Sequence, residues 1–152
     1  MIKFFVPGQP VGKGRPRFAK TGRPYTPKKT AEYESHVEWT ARKAMWDNGR
    51  QTATDAPCAV FIDAAYEVPL SYSKRRKAQC NAGEITPGKP DIDNVQKAIL
   101  DALNGVVYLD DKQVVLTMAA KALHRRERNT GRDSNGYAVG WYSRSAENHE
   151  HH

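Results

Sequence analysis

Val95, Ala98, Ile99, Ala102, Leu103 and Val106 stand at i, i+3, i+4, i+7, i+8 and i+11, the spacing of one buried face of an α-helix. No strand tolerates that period, and a face this apolar must pack on another element. Asn104-Gly105 supplies its C-terminal stop. The run is bracketed by acids, Asp91 and Asp93 before it and Asp110 and Asp111 after it. A chain that turns at Gly105 and comes back along the helix brings these two groups toward each other. Yet the protein around them is basic, with a formal net charge of +7 and a pI near 9.5.

The remaining elements follow from local signals. Ile2-Lys3-Phe4-Phe5-Val6 predicts a strand that stops at Pro7-Gly8. Pro7, Pro10, Pro16, Pro24 and Pro27, interspersed with glycines, exclude a helix from residues 7–27. Arg15-Pro16-Arg17-Phe18 and Arg23-Pro24-Tyr25, on either side of Lys20-Thr21-Gly22, predict an extended basic hairpin or loop. Thr26-Pro27 predicts an N-cap and first helical position. The helix then carries Tyr33, Val37, Ala41, Ala44 and Met45 and ends near Asn48-Gly49.

Residues 59–68 are apolar and β-branched enough for a buried strand, and residues 72–83 predict a short basic helix. Strand pieces are expected over 106–109 and 114–123, around an Asp110-Asp111-Lys112 turn, with a closing strand over 137–142. Without regular βαβ alternation the class is α+β: one domain over 1–142, a mixed β-sheet packed against two main helices. Residues 143–152 are expected to form a disordered tail.

Charge and cysteine usage narrow the function. No run approaches the ~18 apolar residues of a membrane span, and no signal-peptide layout opens the chain. Cys58 and Cys80 lack metal-ligand spacing and read as reduced packing residues, so a soluble, cytoplasmic protein is expected. Residues 1–30 contain Lys3, Lys13, Arg15, Arg17, Lys20, Arg23, Lys28 and Lys29 and no acid. Lys74-Arg75-Arg76-Lys77 and a segment with Arg125, Arg126 and Arg128 add further cations. Clustered positive charge suits a polyanion, most often nucleic acid; the other reading is a solvated basic surface.

Carboxylates are the hard ligands that Mg²⁺ takes, and grouping them in a basic chain is costly unless a cation neutralises them. If residues 91–93 are extended, Asp91 and Asp93 point together while Ile92 points into the core. Lys97 lies four residues after Asp93 and can stabilise charge on a phosphate, and Asp101 continues the stripe as a partner of Lys97. Plainer roles exist for each: Asp91 or Asp93 as a helix N-cap, Lys97 as an ion-pair partner, Asp110-Asp111 as turn residues. An EF-hand is excluded by Val95 and Gln96 at loop positions five and six. Gly8…Gly12-Lys13-Gly14 is not a P-loop, being one residue short and lacking Ser or Thr after the lysine, so no nucleotide cofactor is expected. His36 and His124 read as ordinary surface histidines, and Trp39, Trp46 and Trp141 as core or interface aromatics.

The run Lys89-Pro90-Asp91-Ile92-Asp93-Asn94, with Lys97, Asp101-Ala102-Leu103-Asn104-Gly105-Val106, Asp110-Asp111 and Gln113-Val114, resembles the signature of the RusA family of Holliday-junction resolvases. So does Gly12-Lys13-Gly14-Arg15-Pro16-Arg17-Phe18 followed by Tyr25-Thr26-Pro27. The family occurs in bacteria and their phages or prophages. The resemblance implies a homodimeric, Mg²⁺-dependent endonuclease, with Mn²⁺ as a substitute ion. Its substrate would be four-way DNA junctions, nicked in pairs during recombination and repair. It places metal-binding catalytic acids on Asp91, Asp93 and Asp111, with Asp110 as a supporting or alternative ligand. It places the functional lysine on Lys97, with Asn94 behind the ligands or at the helix start.

Lys13, Arg15, Arg17, Arg23 and Lys89 are the expected DNA contacts. For Gly12 to Phe18 an edge strand guarded by Arg and Pro is the competing reading. Residues 125–135 and the histidines at 149–152 have no counterpart in the pattern. Two other functions remain open: a junction-binding architectural protein without chemistry, and a metal nuclease acting on flaps, RNA or other branched nucleic acids.

Overall fold

The structure, a computed structural model, describes residues 1–8, 11–124 and 136–143. It is one α+β unit in which the parallel pairing of two strands dictates the layout. Strand β1 (Ile2–Pro7) is followed by a short ribbon, β2 (Arg17–Phe18) with β3 (Pro24–Tyr25), and by helix α1 (Lys28–Asp47). Then come β4 (Cys58–Glu67), α2 (Lys74–Asn81), α3 (Ile92–Leu103), a 3-10 turn at Asp111–Gln113, β5 (Val114–His124) and β6 (Gly136–Ser143). The four-stranded sheet has the order β1-β6-β4-β5. β4 and β5 run parallel and the other neighbours antiparallel. A parallel pair needs a long crossover, and that crossover carries α2 and α3 over the sheet.

Burial alternates along β4, with Cys58, Val60, Ile62, Ala64 and Tyr66 facing the helices. Ile2, Phe4 and Val6 of β1 and Val139 and Trp141 of β6 extend the same face. Helix α1 buries Val37, Ala41 and Met45 and packs on β1 and α3, while α3 buries the predicted stripe from Val95 to Leu103 and packs on α1 and β5; Val106, the last stripe position, is buried in the turn after the helix. Trp141 is buried edge-on against Phe4, ring centroids 5.7 Å apart at 68°, whereas Trp39 and Trp46 point outward from α1. Both cysteines are buried and free, and burial pushes the Cys58 thiol pKa up against the pull of Arg50. Among the described residues no helix covers the other face of the sheet, which holds an apolar groove lined in part by Met1, Phe61 and Met118.

Some local expectations shift. Pro27 itself is the N-cap of α1, and no side chain caps that end, so Thr26 is not the cap. Residues 106–109 form a turn, buried at Val106, Val107 and Tyr108 and exposed at Leu109, with isolated bridges from Tyr108 to Thr54 and Asn104, where strand pieces were expected. β6 continues through Ser143, whose buried hydroxyl accepts from Arg50 Nη1 at 3.3 Å, so the ordered sheet outlasts residue 142. The basic segment 125–128, the tail 144–152 and the His124 side chain lie outside the described residues. Among those described, no helix is long and apolar enough to cross a membrane.

Candidate active site

Both ends of α3 are held by contacts from distant segments. Before the helix, the Lys121 ammonium on β5 donates to the carbonyls of Gly88 (2.7 Å) and Pro90 (2.9 Å). Gly12 presses on the same turn so closely that a Cβ there would stand 2.5 Å from Pro90 Cβ and 3.3 Å from Asn94 Cβ. The next backbone N–H, of Lys13, donates to the Asn94 carbonyl at 3.0 Å. The Gly12-Lys13 and Pro90 to Asn94 motifs are thus one packed junction, and only glycine fits its first position.

α3 begins earlier than an extended 91–93 segment would allow. Asp91 is its N-cap by position, with φ −66° and ψ 151° but no side-chain cap bond. Ile92 is therefore the first helical residue and is 37% exposed rather than pointing into the core. The Asp91 carboxylate is exposed and 3.7 Å from the Lys89 ammonium. Asp93 sits in the first turn, where the positive end of the helix dipole favours its charge.

After the helix, Gly105 turns the chain with φ +77°, a conformation that a side chain resists. The fully buried Tyr108 then ties the return to α3, its hydroxyl donating to the Leu100 carbonyl at 2.7 Å. Burial first, then the negative charge of Asp111 and Asp101, raises the Tyr108 pKa far above the ordinary phenol value. Asp110 caps the 3-10 turn, its carboxylate accepting from the Lys112 backbone N–H at 3.0 Å. That bond, followed by one with Asp111, holds the Asp110 carboxyl below its usual range.

Gln113 closes the cap from the other side. Its Oε1 accepts from the Asp110 N–H at 2.9 Å, while its Nε2 donates to Thr54 O (2.8 Å) and Ala56 O (3.0 Å). Removing a partly buried group with several such bonds is expected to cost about 2 kcal/mol. Gln113→Ala should therefore lower the unfolding midpoint in denaturant with an unchanged m-value. A midpoint equal to the parent's would show that the turn is held by other contacts.

Between these two ends lies an open depression of about 240 Å³ lined by Asp93, Gln96, Lys97, Leu100, Asp101 and Asp111. The fold thus brings Asp93, Lys97 and Asp111 together. Asp91 and Asp110 are outside the lining, the first paired with Lys89, the second occupied as a cap. Asp101, expected to partner Lys97, instead pairs through Oδ2 with Lys13 Nζ at 3.2 Å. Lys13, expected on the DNA-facing surface, has its ammonium turned inward and lies 2.6 Å from Glu34 Oε1 on α1. Arg15, Arg17 and Arg23 are exposed on and beside the ribbon.

Tyr108 and Glu34 were missed because neither carries a spacing signal: each acts through a partner far away in sequence. Gln113 stood in the recognised pattern, but its role depends on Thr54 and Ala56, which no motif identifies.

Mg²⁺ usually takes one or two carboxylates and keeps several waters. Asp93 and Asp111 offer two hard oxygen donors to one open, polar depression, and that donor set fits such an ion. It is not a closed cage: among the described residues no group of three or more His, Cys, Asp or Glu converges on one point.

Residues 7–130 match the sequence pattern of the family described as Endodeoxyribonuclease RusA. The chain is also 34% identical over 120 residues to the uncharacterized protein YqaN of Bacillus subtilis (strain 168), across 75% of this chain and 82% of YqaN. The family match spans the Gly12-Lys13 junction, α3 and the Asp110-Asp111 turn, so every residue lining the depression falls inside it. This chain belongs to the RusA family of endodeoxyribonucleases.

Proposed function

We propose that this protein is a Mg²⁺-dependent endonuclease that resolves four-way DNA junctions by paired symmetric nicks, acting in the cytoplasm in recombination and repair. The observation that carries the reading is the shared depression: Asp93 and Lys97 from α3 meet Asp111 from the returning turn, in a basic chain of an endodeoxyribonuclease family. Asp93 and Asp111 would hold the ion, with Mn²⁺ able to replace it, and Asp91 and Asp110 would support them. When bound, the ion supplies Lewis-acid polarisation of the phosphodiester and neutralises charge.

The chain's own residues do the rest. The Lys97 ammonium faces the position where negative charge develops on phosphorus oxygens and stabilises it there. Asn94 keeps the helix start in place through its carbonyl bond to Lys13. Arg15, Arg17, Arg23 and Lys89 contact backbone phosphates, which position DNA without reading its sequence. A junction has approximate two-fold symmetry, so a C2 homodimer offers one such site to each of two opposed strands.

The test is nicking of a synthetic four-way junction in Mg²⁺ against a linear duplex and an EDTA control. The expected products are nicks on opposed strands at symmetric positions, lost in EDTA, from a species of twice the 17.1 kDa chain mass by light scattering. Salt-sensitive junction binding with no product at any protein concentration would mark an architectural protein instead. Preferential cutting of flaps or RNA in the same panel would overturn the junction assignment and keep the nuclease.

A further inference from the structure

Lys13 joins the basic arm (residues 11–27) to the depression. Its ammonium lies between Glu34 of α1 (2.6 Å) and Asp101 of α3 (3.2 Å), and its backbone N–H holds the Asn94 carbonyl. The side chain is only 21% exposed. Burial disfavours its charge, but the hydrogen bonds and charges of Glu34 and Asp101 outweigh that, so its pKa is raised. Asp101 uses Oδ2 for Lys13 while lining the depression beside Asp93, Lys97 and Asp111. Turning Lys13 outward to a phosphate would leave both carboxylates without this cation near incoming DNA, and like charge would repel the ligand. Arg15, Arg17 and Arg23, two, four and ten residues on, are exposed and form no ion pair among the described residues.

We propose that Lys13 is a positioning residue and not a DNA contact. It latches the arm that bears Arg15, Arg17 and Arg23 onto α3. The phosphates gripped by the arm therefore fall in a set place relative to Asp93, Lys97 and Asp111. Its catalytic consequence rests on the endonuclease reading above. Displacement of a bound reacting group by about 1 Å can cost on the order of 100-fold in rate.

The experiment compares full-length Lys13→Ala, Lys13→Arg, Glu34→Gln and Arg17→Ala with the parent. Lys13→Ala is expected to lower the single-turnover cleavage rate at saturating protein by roughly 10- to 100-fold. Its junction affinity should stay within about twofold, and its plot of log affinity against log salt should keep the parent slope. Arg17→Ala, which removes a phosphate contact, should instead weaken junction affinity and reduce the slope by about one. Glu34→Gln, which loosens the latch with Lys13 in place, should follow Lys13→Ala, and Lys13→Arg should recover part of the rate.

A second readout needs no DNA: trypsin should cut the free protein after Arg17 and Lys20 faster in Lys13→Ala and Glu34→Gln than in the parent. A reduced salt slope with an unchanged saturated rate in Lys13→Ala would make it a phosphate contact and overturn the proposal. So would unchanged trypsin cutting in both latch variants. If the parent itself cuts no branched DNA, the endonuclease reading fails, while the trypsin and salt-slope measurements still decide what Lys13 does. If Lys13→Ala does not fold, Glu34→Gln and Lys13→Arg carry the same comparison.

Discussion

Asp93→Asn is expected to lower Mg²⁺-dependent junction cleavage by roughly 1,000-fold or more while leaving junction affinity equal to or above the parent's. Asp93 is a first-turn residue of α3 and lines the depression with Asp111, so the substitution removes a charged oxygen donor without removing a packing group. Losing one negative charge that faces phosphates favours binding, which separates the catalytic loss from a binding loss. Asp111→Asn should behave alike. Asp110→Asn should cost far less, since that carboxylate is engaged with the Lys112 N–H and asparagine caps nearly as well. Single-turnover cleavage in Mg²⁺ and gel-shift affinity in Ca²⁺ measure the two quantities separately. Parent-level cleavage by Asp93→Asn at parent-level affinity would remove the depression from the mechanism.

Trp141→Ala carries the largest expected loss of stability, about 4 kcal/mol. The side chain is 2% exposed on β6, between Ile2 of β1 and Val60 of β4 in the sheet register, with the Phe4 ring against its edge. Deleting it leaves a cavity where strands on both sides limit collapse, and the aromatic pair is lost as well. Trp39→Ala, on the outward side of α1, should stay within about 0.5 kcal/mol of the parent. Denaturant unfolding of both variants measures the contrast. Equal midpoints for Trp141→Ala and the parent would contradict the placement of this ring in the core.

The two tryptophans show where sequence reading stops. Nothing in the spacing of Trp39, Trp46 and Trp141 distinguishes core from surface; only the position of Trp141 in the central part of the sheet does. The stripe from Val95 to Leu103 was readable in full, because helical periodicity states which face of an element is apolar. It does not state what covers that face, here α1 and β5. The acids were readable as a group for the same kind of reason: they bracket one helix, and a turn at Gly105 must bring its flanks together.

Residue chemistry and local period therefore determined the α3 stripe, the basic arm and the acids Asp91, Asp93, Asp110 and Asp111 that bracket the helix beside Lys97, while the family resemblance supplied their expected roles. Tertiary structure alone decided that Asp111 lines the depression while Asp110 caps a turn pinned by Gln113 to Thr54 and Ala56. It also decided that Lys13 faces inward, to a Glu34 that is 21 residues away along the chain. The physical reason is range. Periodicity and capping are set by neighbours within a turn or two, whereas an ion pair or hydrogen bond between elements exists only once packing has brought its two ends within about 3 Å.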